Sequence, residues 1–231
     1  MKIFLSYGII KSASTFSKTL LTEYFNQLSN KKLLRFIELP KLVDSQEWDF
    51  VDKNSNIDDI RESISKSELD LTLIKTHSPI SLFESDLSEF ELYKTANVRH
   101  PGDVIVSLID AAKKDKKLKR NRFDEFDNFE SALKTALYQF KVADEWFSKG
   151  AYLIKYKDLV SDPEDMLSSL IEGLGIKFDQ EALSSAINKI NPESVPEYNK
   201  GVPDRYLAEL TQKQIEMVRT EFSYFIDRFE L

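Results

Sequence analysis

The sequence predicts an α/β fold, a single domain in which a mostly parallel central sheet is flanked by helices. Short apolar, β-prone segments alternate along the 231 residues with segments whose apolar residues recur at helical spacing. No internal repeat and no linker-like composition interrupts this alternation. Alternating strands and helices are typical of a parallel sheet covered by helices, so we expect one domain over residues 1–231.

The first element is a strand, a polar loop and a helix. Residues 2–7 are apolar and β-prone, residues 8–15 are rich in serine and threonine, and from Phe16 the apolar spacing becomes helical. A polar turn that opens a helix binds anions, because its N–H groups and the helix N-terminus offer positive charge, to which Lys11 adds a full one. We therefore expect this loop to hold the 5′ end of a phosphorylated nucleotide.

The next elements follow the same alternation. Residues 33–39 form the second predicted strand, ended by Pro40, and a short helix is expected over 57–67. The third strand covers 69–74, and a weaker fourth strand covers 91–98.

The second half contributes one strand and most of the helices. Pro101 suits the first position of a helix, and the apolar spacing of residues 124–148 predicts a long helix with its aromatic stripe in the core. A buried strand is predicted at 151–156. The remaining helices are expected over 163–173, over 179–190 and from Thr211 onwards.

Polar side chains follow the predicted strands where a parallel sheet binds its ligands, at the carboxyl ends. We expect them to converge on one rim: Lys11, Ser12, Ser14 and Thr15 after the first strand, Lys75 and His77 after the third, Arg99 after the fourth, and Tyr156 near the end of the fifth.

Composition excludes several classes of function. The net charge of −7 argues against general nucleic-acid binding. The chain has no cysteine, which excludes thiol catalysis and zinc–thiolate sites and suits the cytoplasm. No apolar run approaches the roughly 18 residues that span a membrane. The apolar residues after Lys2 are broken by Ser6, Tyr7 and Gly8, so we reject a signal peptide.

Five segments, in order along the chain, resemble the motifs of the soluble PAPS-dependent sulfotransferases. Residues 11–16 (KSASTF) are similar to their K-S-G-T-T-W loop, 75–79 (KTHSP) to K-T-H-L-P, and 99–107 (RHPGDVIVS) to R-N-P-K-D-V-x-V-S. Residues 155–159 (KYKDL) resemble F-Y-E-D-L, and 199–201 (NKG) resemble the late R-K-G.

The resemblance implies a P-loop-like fold and transfer of a sulfuryl group from 3′-phosphoadenosine 5′-phosphosulfate (PAPS) to an acceptor hydroxyl or amine, leaving adenosine 3′,5′-bisphosphate (PAP), with no metal. It places Lys11 at the bridging oxygen or the 5′-phosphate and Lys75 at the sulfuryl end, and it has Phe16 stack on adenine. The loop residues Ser12, Ala13, Ser14 and Thr15 would surround the 5′-phosphate.

The resemblance also implies a second clamp and a base. Arg99 and Ser107 would hold the 3′-phosphate, and arginine suits this task because its planar fork pairs two phosphate oxygens. His77 would remove the proton of the acceptor. Further contacts to the donor would come from Tyr156, Asn199, Lys200 and Gly201.

The chain departs from the family pattern in three places. Ala13 replaces a glycine, so we expect the backbone there to avoid positive φ, and Phe16 is a smaller stacking surface than tryptophan. Asn199 replaces an arginine, which weakens donor binding by about 1–3 kcal/mol unless Lys200 or Arg205 compensates. No convincing dimerisation segment lies around 207–216, so we expect a monomer or weak dimer.

Plainer interpretations stand beside these roles. Lys11 can be a solvated lysine, His77 a structural loop residue, Arg99 the ion-pair partner of Asp103, and Tyr156 a wall. His100, the other histidine, is expected to cap a helix or face solvent. The basic segment, residues 113–122, is expected to be a solvated helix end or to steer an anionic ligand.

Two other functions remain open. A P-loop kinase of small molecules requires G-x-x-x-x-G-K-[ST], whereas here Lys11 follows Gly8 by three residues and the second glycine is missing. The second is a degenerate module that binds a nucleotide without transferring a group.

We expect a small-molecule, lipid or glycan acceptor, bound by segments 40–56, 78–93 and 118–147. Aromatic residues there suggest an apolar wall: Trp48, Phe50, Phe83, Phe123 and Trp146.

Overall fold

The fold is a five-stranded, all-parallel sheet with the strand order β2-β3-β1-β4-β5. It is seen in a computed structural model, which describes residues 1–39, 51–52, 55–191 and 201–231. The predicted α/β class with its mostly parallel sheet is confirmed. The strands are β1 (Lys2–Gly8), β2 (Phe36–Glu38), β3 (Leu71–Thr76), β4 (Glu91–Val98) and β5 (Tyr152–Lys155).

β1 lies in the middle of the sheet and sets its register. Tyr7 pairs with Thr76 of β3 on one side, and Gly8 pairs with Asn97 of β4 on the other. The carboxyl ends of these three strands therefore meet at one edge, where the chain order of the strands reverses and α/β sheets bind their ligands.

The helices begin where the sequence supplies caps. Side chains of Asn56, Asn128, Asp162, Asp179 and Thr211 accept hydrogen bonds from N–H groups of the following turn. The described helices are α1 (Ser14–Asn30), α2 (Ile57–Ser65), α3 (Ser81–Glu84), α4 (Pro101–Lys117), α5 (Phe129–Ser148), α6 (Tyr156–Ser161), α7 (Pro163–Gly173), α8 (Gln180–Lys189), α9 (Tyr206–Glu209), α10 (Gln212–Glu221) and α11 (Ser223–Phe229), with a 3₁₀ turn at Asp124–Phe126.

Successive residues of β1 pack into two different hydrophobic cores. Phe4 packs with apolar residues of α1, α7 and α8. Ile3, Leu5 and Tyr7 pack with apolar residues of α4, α5 and α11. Because side chains alternate along a strand, the two cores cover opposite faces of the sheet. The aromatic stripe of α5 lies in the second core, as predicted.

Several boundaries differ from the sequence-based expectation: β2 covers only Phe36–Glu38 of the predicted 33–39, and α5 begins at Phe129 instead of at residue 124. Tyr156 begins α6 instead of ending β5, and the predicted C-terminal helix is divided at Phe222 into α10 and α11. In the described part of the chain, no helix combines the length and apolarity needed to cross a bilayer.

Candidate active site

The loop between β1 and α1 is tight and has two residues in the left-handed region. Lys11 has φ 70° and Ala13 has φ 63°. The main-chain N–H and the hydroxyl of Ser12 both donate to the carbonyl of Ile9, at 3.0 and 2.6 Å. A Cβ on Gly8 would lie 2.3 Å from the Cβ of Ser14, so the strand must end on glycine for α1 to begin this close.

The expectation that Ala13 avoids positive φ is wrong. A left-handed conformation costs a residue with a Cβ roughly 1–2 kcal/mol. The surrounding contacts impose it all the same, because the chain must turn from the buried end of β1 into α1 within five residues, 9–13.

Lys75, the second-last residue of β3, connects that strand to the first turn of α1. Its side chain is buried, and Nζ donates to the hydroxyl of Thr15 at 2.8 Å. A buried ammonium group at a helix N-terminus is a strong attraction for an anion. The structure thus brings Lys75 and the loop of residues 11–15 together, as the sequence predicted for strand ends on one rim.

His77 lies partly buried against the end of β1. Its Nδ1 is 2.6 Å from the carbonyl oxygen of Gly8. Because a carbonyl can only accept, Nδ1 carries the proton in this contact, and Nε2 is the nitrogen that can accept one. Burial, and secondarily the charge of Lys75, lowers the pKa of His77 to about 4, against a raising effect of the Gly8 hydrogen bond. The imidazole is therefore neutral at pH 7.

Arg99 joins four parts of the molecule. It follows β4 and is 5% exposed, and its guanidinium lies 3.9 Å from the ring centre of Tyr156. Its two terminal nitrogens donate to the carbonyls of Lys11 (3.3 Å) and Val202 (3.2 Å). Its Nε lies 3.6 Å from Asp103 Oδ2. Burial lowers the pKa of Arg99, opposed by Tyr156 and Asp103.

The predicted site falls into two halves, both in contact with the segment of residues 8–15. Thr15, Lys75 and His77 form one half, and Arg99 with Tyr156 forms the other. This separation suits a ligand with two anionic groups.

The family model of the sulfotransferase domain matches residues 5–222. The chain belongs to the sulfotransferase family. The resemblance drawn from the five motifs is confirmed. A comparison with curated proteins found no match.

Solved structures resemble this sulfotransferase in fold. Mouse sulfotransferase SULT7A1 complexed with PAP is 14% identical with a TM-score of 0.67, over 98% of this chain and 84% of that one. Retinol dehydratase in complex with androsterone and inactive cofactor PAP is 16% identical (TM-score 0.65; 97% and 80%). The sulfotransferase domain from the curacin biosynthetic pathway is 14% identical (TM-score 0.53; 100% and 97%).

The other residues predicted to bind the donor show fewer contacts that bear on that role. Ser107 is buried on α4, and Gly201 has φ 69°, which favours glycine. Phe16 is 8% exposed and packs in the core under α1, so its predicted stacking on adenine stays a prediction. Asn199 and Lys200 lie outside the described residues.

Arg205, considered as a substitute for the missing arginine, already has two partners. Its guanidinium pairs with Asp110 (2.5 Å) and Glu209 (2.9 Å). The pair with Asp110 holds α9 against α4, and the pair with Glu209 lies within α9 and its cap. This arrangement favours a structural role for Arg205.

Several plainer interpretations are confirmed beside the candidate site. Arg99 does pair with Asp103, and His100 caps α4 by accepting from the N–H of Gly102 at 3.2 Å. The basic segment is an exposed helix end: from 113 to 122, only Asp115 is buried.

The aromatic wall predicted for the acceptor is wrong for Phe83 and Trp146. Both are fully buried, and Trp146 donates to the carbonyl of Ser78 at 3.0 Å. Phe123 is partly buried, with Lys11 Nζ 4.9 Å and Arg122 Cζ 5.4 Å from its ring centre. Trp48 and Phe50 lie outside the described residues.

Asp103 has a larger role than the sequence indicated. It was identified only as an ion-pair partner of Arg99, but it also accepts two main-chain hydrogen bonds from residues a hundred positions later. Its position four residues after Arg99 is a sequence signal for the pair and carries none for the second contact. In the described ranges, no cluster of three or more potential ligands could hold a metal ion.

Proposed function

We propose that this sulfotransferase transfers a sulfuryl group from PAPS to a hydroxyl or amine of an acceptor, with His77 as general base. The observation that carries the proposal is the division of the site into a Lys75–His77 half and an Arg99 half, both of which contact the segment of residues 8–15. PAPS carries two anionic ends, and the structures of SULT7A1 and of retinol dehydratase are described as complexes with PAP.

The residues present fit this donor. Among the described residues, the Nε of Arg99 is buried without a hydrogen-bond partner, which leaves a donor of a permanently charged group unsatisfied. Gly8 keeps the main chain close to Ser14, which suits a loop that wraps a phosphate. Cations stand at both halves of the site.

Each half has a separate task. In this proposal, Lys11, Lys75 and the hydroxyls of Ser14 and Thr15 bind the 5′-phosphosulfate, and the two lysines stabilise charge that develops on it during transfer. Arg99, Ser107 and the main chain at Gly201 bind the 3′-phosphate, with Lys200 and Asn199 as further candidates. The ring of Tyr156 holds Arg99 through a cation–π contact.

His77 accepts the proton of the acceptor at Nε2. The Gly8 carbonyl fixes the ring and its tautomer, and the low pKa keeps the base neutral at physiological pH. A base with a pKa of about 4 is weak, but an anionic donor beside Lys75 offsets the lysine charge that penalises the imidazolium. The bound donor therefore makes His77 a stronger base.

The acceptor is a small molecule, lipid or glycan, and the basic segment favours one with a negative group. Seven of the ten residues 113–122 are Lys or Arg in a chain of net charge −7. Phe123 directly follows this segment and contacts Lys11 of the donor loop. Matched acceptors that differ by one carboxylate or phosphate test this preference.

Without cysteine, the chain suits the reducing cytoplasm.

Ligand-induced thermal shift separates this function from its rivals. PAP should stabilise the protein, by about 2.7 kcal/mol at 100 times Kd, whereas Mg-ATP should not. A preference for Mg-ATP would favour the P-loop kinase and contradict the proposal. PAP binding without transfer to any acceptor, in a panel of phenols, steroids, lipids, sugars and amines with labelled PAPS, would favour the degenerate module.

A further inference from the structure

Asp103 lies where the 3′-phosphate half of the site meets the segment that follows Gly201. It is in the first turn of α4 and is 1% exposed. Its Oδ2 accepts from the N–H of Asp204 at 2.9 Å, and its Oδ1 accepts from the N–H of Tyr206 at 3.1 Å. The same Oδ2 lies 3.6 Å from Arg99 Nε.

Neighbouring contacts hold the same segment in place. Tyr206 stacks on His100 with ring centres 4.1 Å apart, and a Cβ on Gly102 would lie 2.5 Å from its ring. Arg99 also reaches this segment, through its bond to the Val202 carbonyl. Arg99, Asp103 and residues 202–206 therefore form one closed set of contacts, in which each member touches the other two.

We propose that Asp103 is a positioning residue, which orients Arg99 and residues 202–206 together and thereby gives the enzyme its selectivity for a nucleotide with a 3′-phosphate. The inference rests on the proposed function, because it assigns the 3′-phosphate to Arg99. Asp103 itself does not touch the ligand.

A carboxylate beside an anion-binding arginine acts against binding if only charge matters. Removing the negative charge of Asp103 raises the positive potential around Arg99, so a purely electrostatic role predicts tighter binding of the 3′-phosphate. A positioning role predicts the opposite, because Arg99 loses its ion-pair partner and the main-chain N–H groups of Asp204 and Tyr206 no longer share one carboxylate that aligns them. The sign of the effect distinguishes the two roles.

Asp103→Asn is the informative variant, since it keeps the shape of the side chain. Its one oxygen can satisfy one of the two N–H groups, and its amide is itself a donor toward the other and toward Arg99. The matched control is Asp110→Asn, which removes a carboxylate that pairs with Arg205. Asp110 also holds the region after Gly201 against α4, and it does so through Arg205.

The experiment measures Kd for PAP and for adenosine 5′-monophosphate, which lacks the 3′-phosphate, by calorimetry. We expect Asp103→Asn to weaken PAP about 10- to 100-fold, as for a lost charged hydrogen bond, and to leave the monophosphate unchanged. The selectivity ratio is the Kd for the monophosphate divided by the Kd for PAP. Asp110→Asn should leave this ratio unchanged. Arg99→Lys should lower that ratio, and adding Asp103→Asn to it should have little further effect.

The outcomes separate the inference from the proposed function. A wild-type protein with no preference for PAP contradicts the proposed function itself. A wild type that prefers PAP, together with an Asp103→Asn ratio equal to or above the wild-type value, overturns the positioning role alone. Equal losses for both ligands, or the same change in Asp110→Asn, assign Asp103 to general stability and also overturn it. Asp103→Glu, with its longer side chain, serves as a second variant if Asp103→Asn fails to fold.

Discussion

Nδ1 of His77 lies 2.6 Å from the carbonyl oxygen of Gly8, so the last residue of β1 orients the candidate base, which directly follows the neighbouring strand β3. The contact fixes the tautomer and directs the ring. It also connects the base to the loop that holds Lys11, because Gly8 is the residue from which that loop starts. The candidate base and the loop proposed to bind the donor are therefore both attached to Gly8.

His77→Asn should abolish transfer while leaving nucleotide binding intact. The asparagine amide can keep the hydrogen bond to Gly8, but the variant lacks the nitrogen that accepts the proton. We expect the transfer rate to fall by about 10²–10⁴-fold, with the Kd for PAP unchanged, and the same for His77→Ala. Labelled-PAPS transfer and calorimetry measure the two quantities.

His100→Asn is the control for that experiment. His100 is the only other histidine in the sequence, and asparagine is itself a good helix cap. Its transfer rate at saturating PAPS should stay near that of the wild type, because any effect of the lost stacking on Tyr206 falls on donor binding. Equal rates in His77→Asn and the wild type would remove His77 from its catalytic role.

The pKa of His77 should rise when the nucleotide binds. In the free protein, burial and Lys75 lower it to about 4, and an anion beside Lys75 offsets part of that effect. Titration of the histidine ring protons by NMR, with and without PAP, measures the change. A midpoint near 6.5 in the free protein, or no shift with PAP, would contradict the assigned surroundings.

Stability should depend on the same proton. The pKa of His77 is about 4 in the folded protein against an ordinary value of 6.5, so between these values the unfolded state binds more protons. Stability contributed by neutral His77 is thus present above pH 6.5 and is lost as the pH falls toward 4. In urea unfolding, His77→Asn should flatten this part of the pH profile relative to the wild type.

The fold was more predictable from the sequence than the contacts of the site. Buried apolar runs and alternating periodicity indicate β1 and α5 directly, and residue types after strands indicate which side chains share a rim. The bonds of Arg99 to the carbonyls of Lys11 and Val202 depend on the packing of segments far apart in the chain. No local pattern encodes them.

Some sequence-based predictions are wrong because the same residue type occurs in two structural settings. Phe83 and Trp146 are apolar, and apolarity alone does not distinguish the wall of a pocket from a core. Tyr156 continues an apolar run but starts α6. The residue before it, Lys155, is extended both as the end of a strand and as the cap of the helix, so the apolar run does not show where the strand ends. Ala13 disfavours positive φ by itself, and the closure of the loop overrides that preference.

Tyr156→Leu should weaken PAP binding more than Tyr156→Phe. The ring lies 3.9 Å from the guanidinium carbon of Arg99, and phenylalanine keeps that face whereas leucine does not. A cation–π contact contributes about 0.5–2 kcal/mol, or roughly 2- to 30-fold in Kd. Calorimetric Kd values for both variants test this order. Equal losses would assign the effect to the hydroxyl instead of the ring.

Gly8→Ala should damage the site, whereas Gly175→Ala should cost only backbone strain. The new Cβ at Gly8 would meet Ser14 at 2.3 Å and displace the start of α1, an overpacking cost of about 1–3 kcal/mol. Gly175 has φ +64° and nothing within 4 Å of its added Cβ. We expect lower PAP affinity in Gly8→Ala alone. Unchanged affinity there would show that the loop tolerates a shifted α1.

Ala13→Gly should be close to neutral for stability. Glycine relieves the left-handed strain of about 1–2 kcal/mol. It also loses a partly buried methyl group of about 0.8 kcal/mol and gains entropy in the unfolded chain of about 0.4–1 kcal/mol. These effects nearly cancel. Urea unfolding of the variant against the wild type measures the difference.

Ala208→Gly, at an exposed position of α9, is the matched control. There glycine relieves no strain, so the variant should lose about 0.5–1 kcal/mol. Ala13→Val should lose more than either, because a β-branched side chain fits the left-handed region poorly. If Ala13→Gly destabilises the protein as much as Ala208→Gly does, Ala13 is not strained, and the turn into α1 differs from the one described.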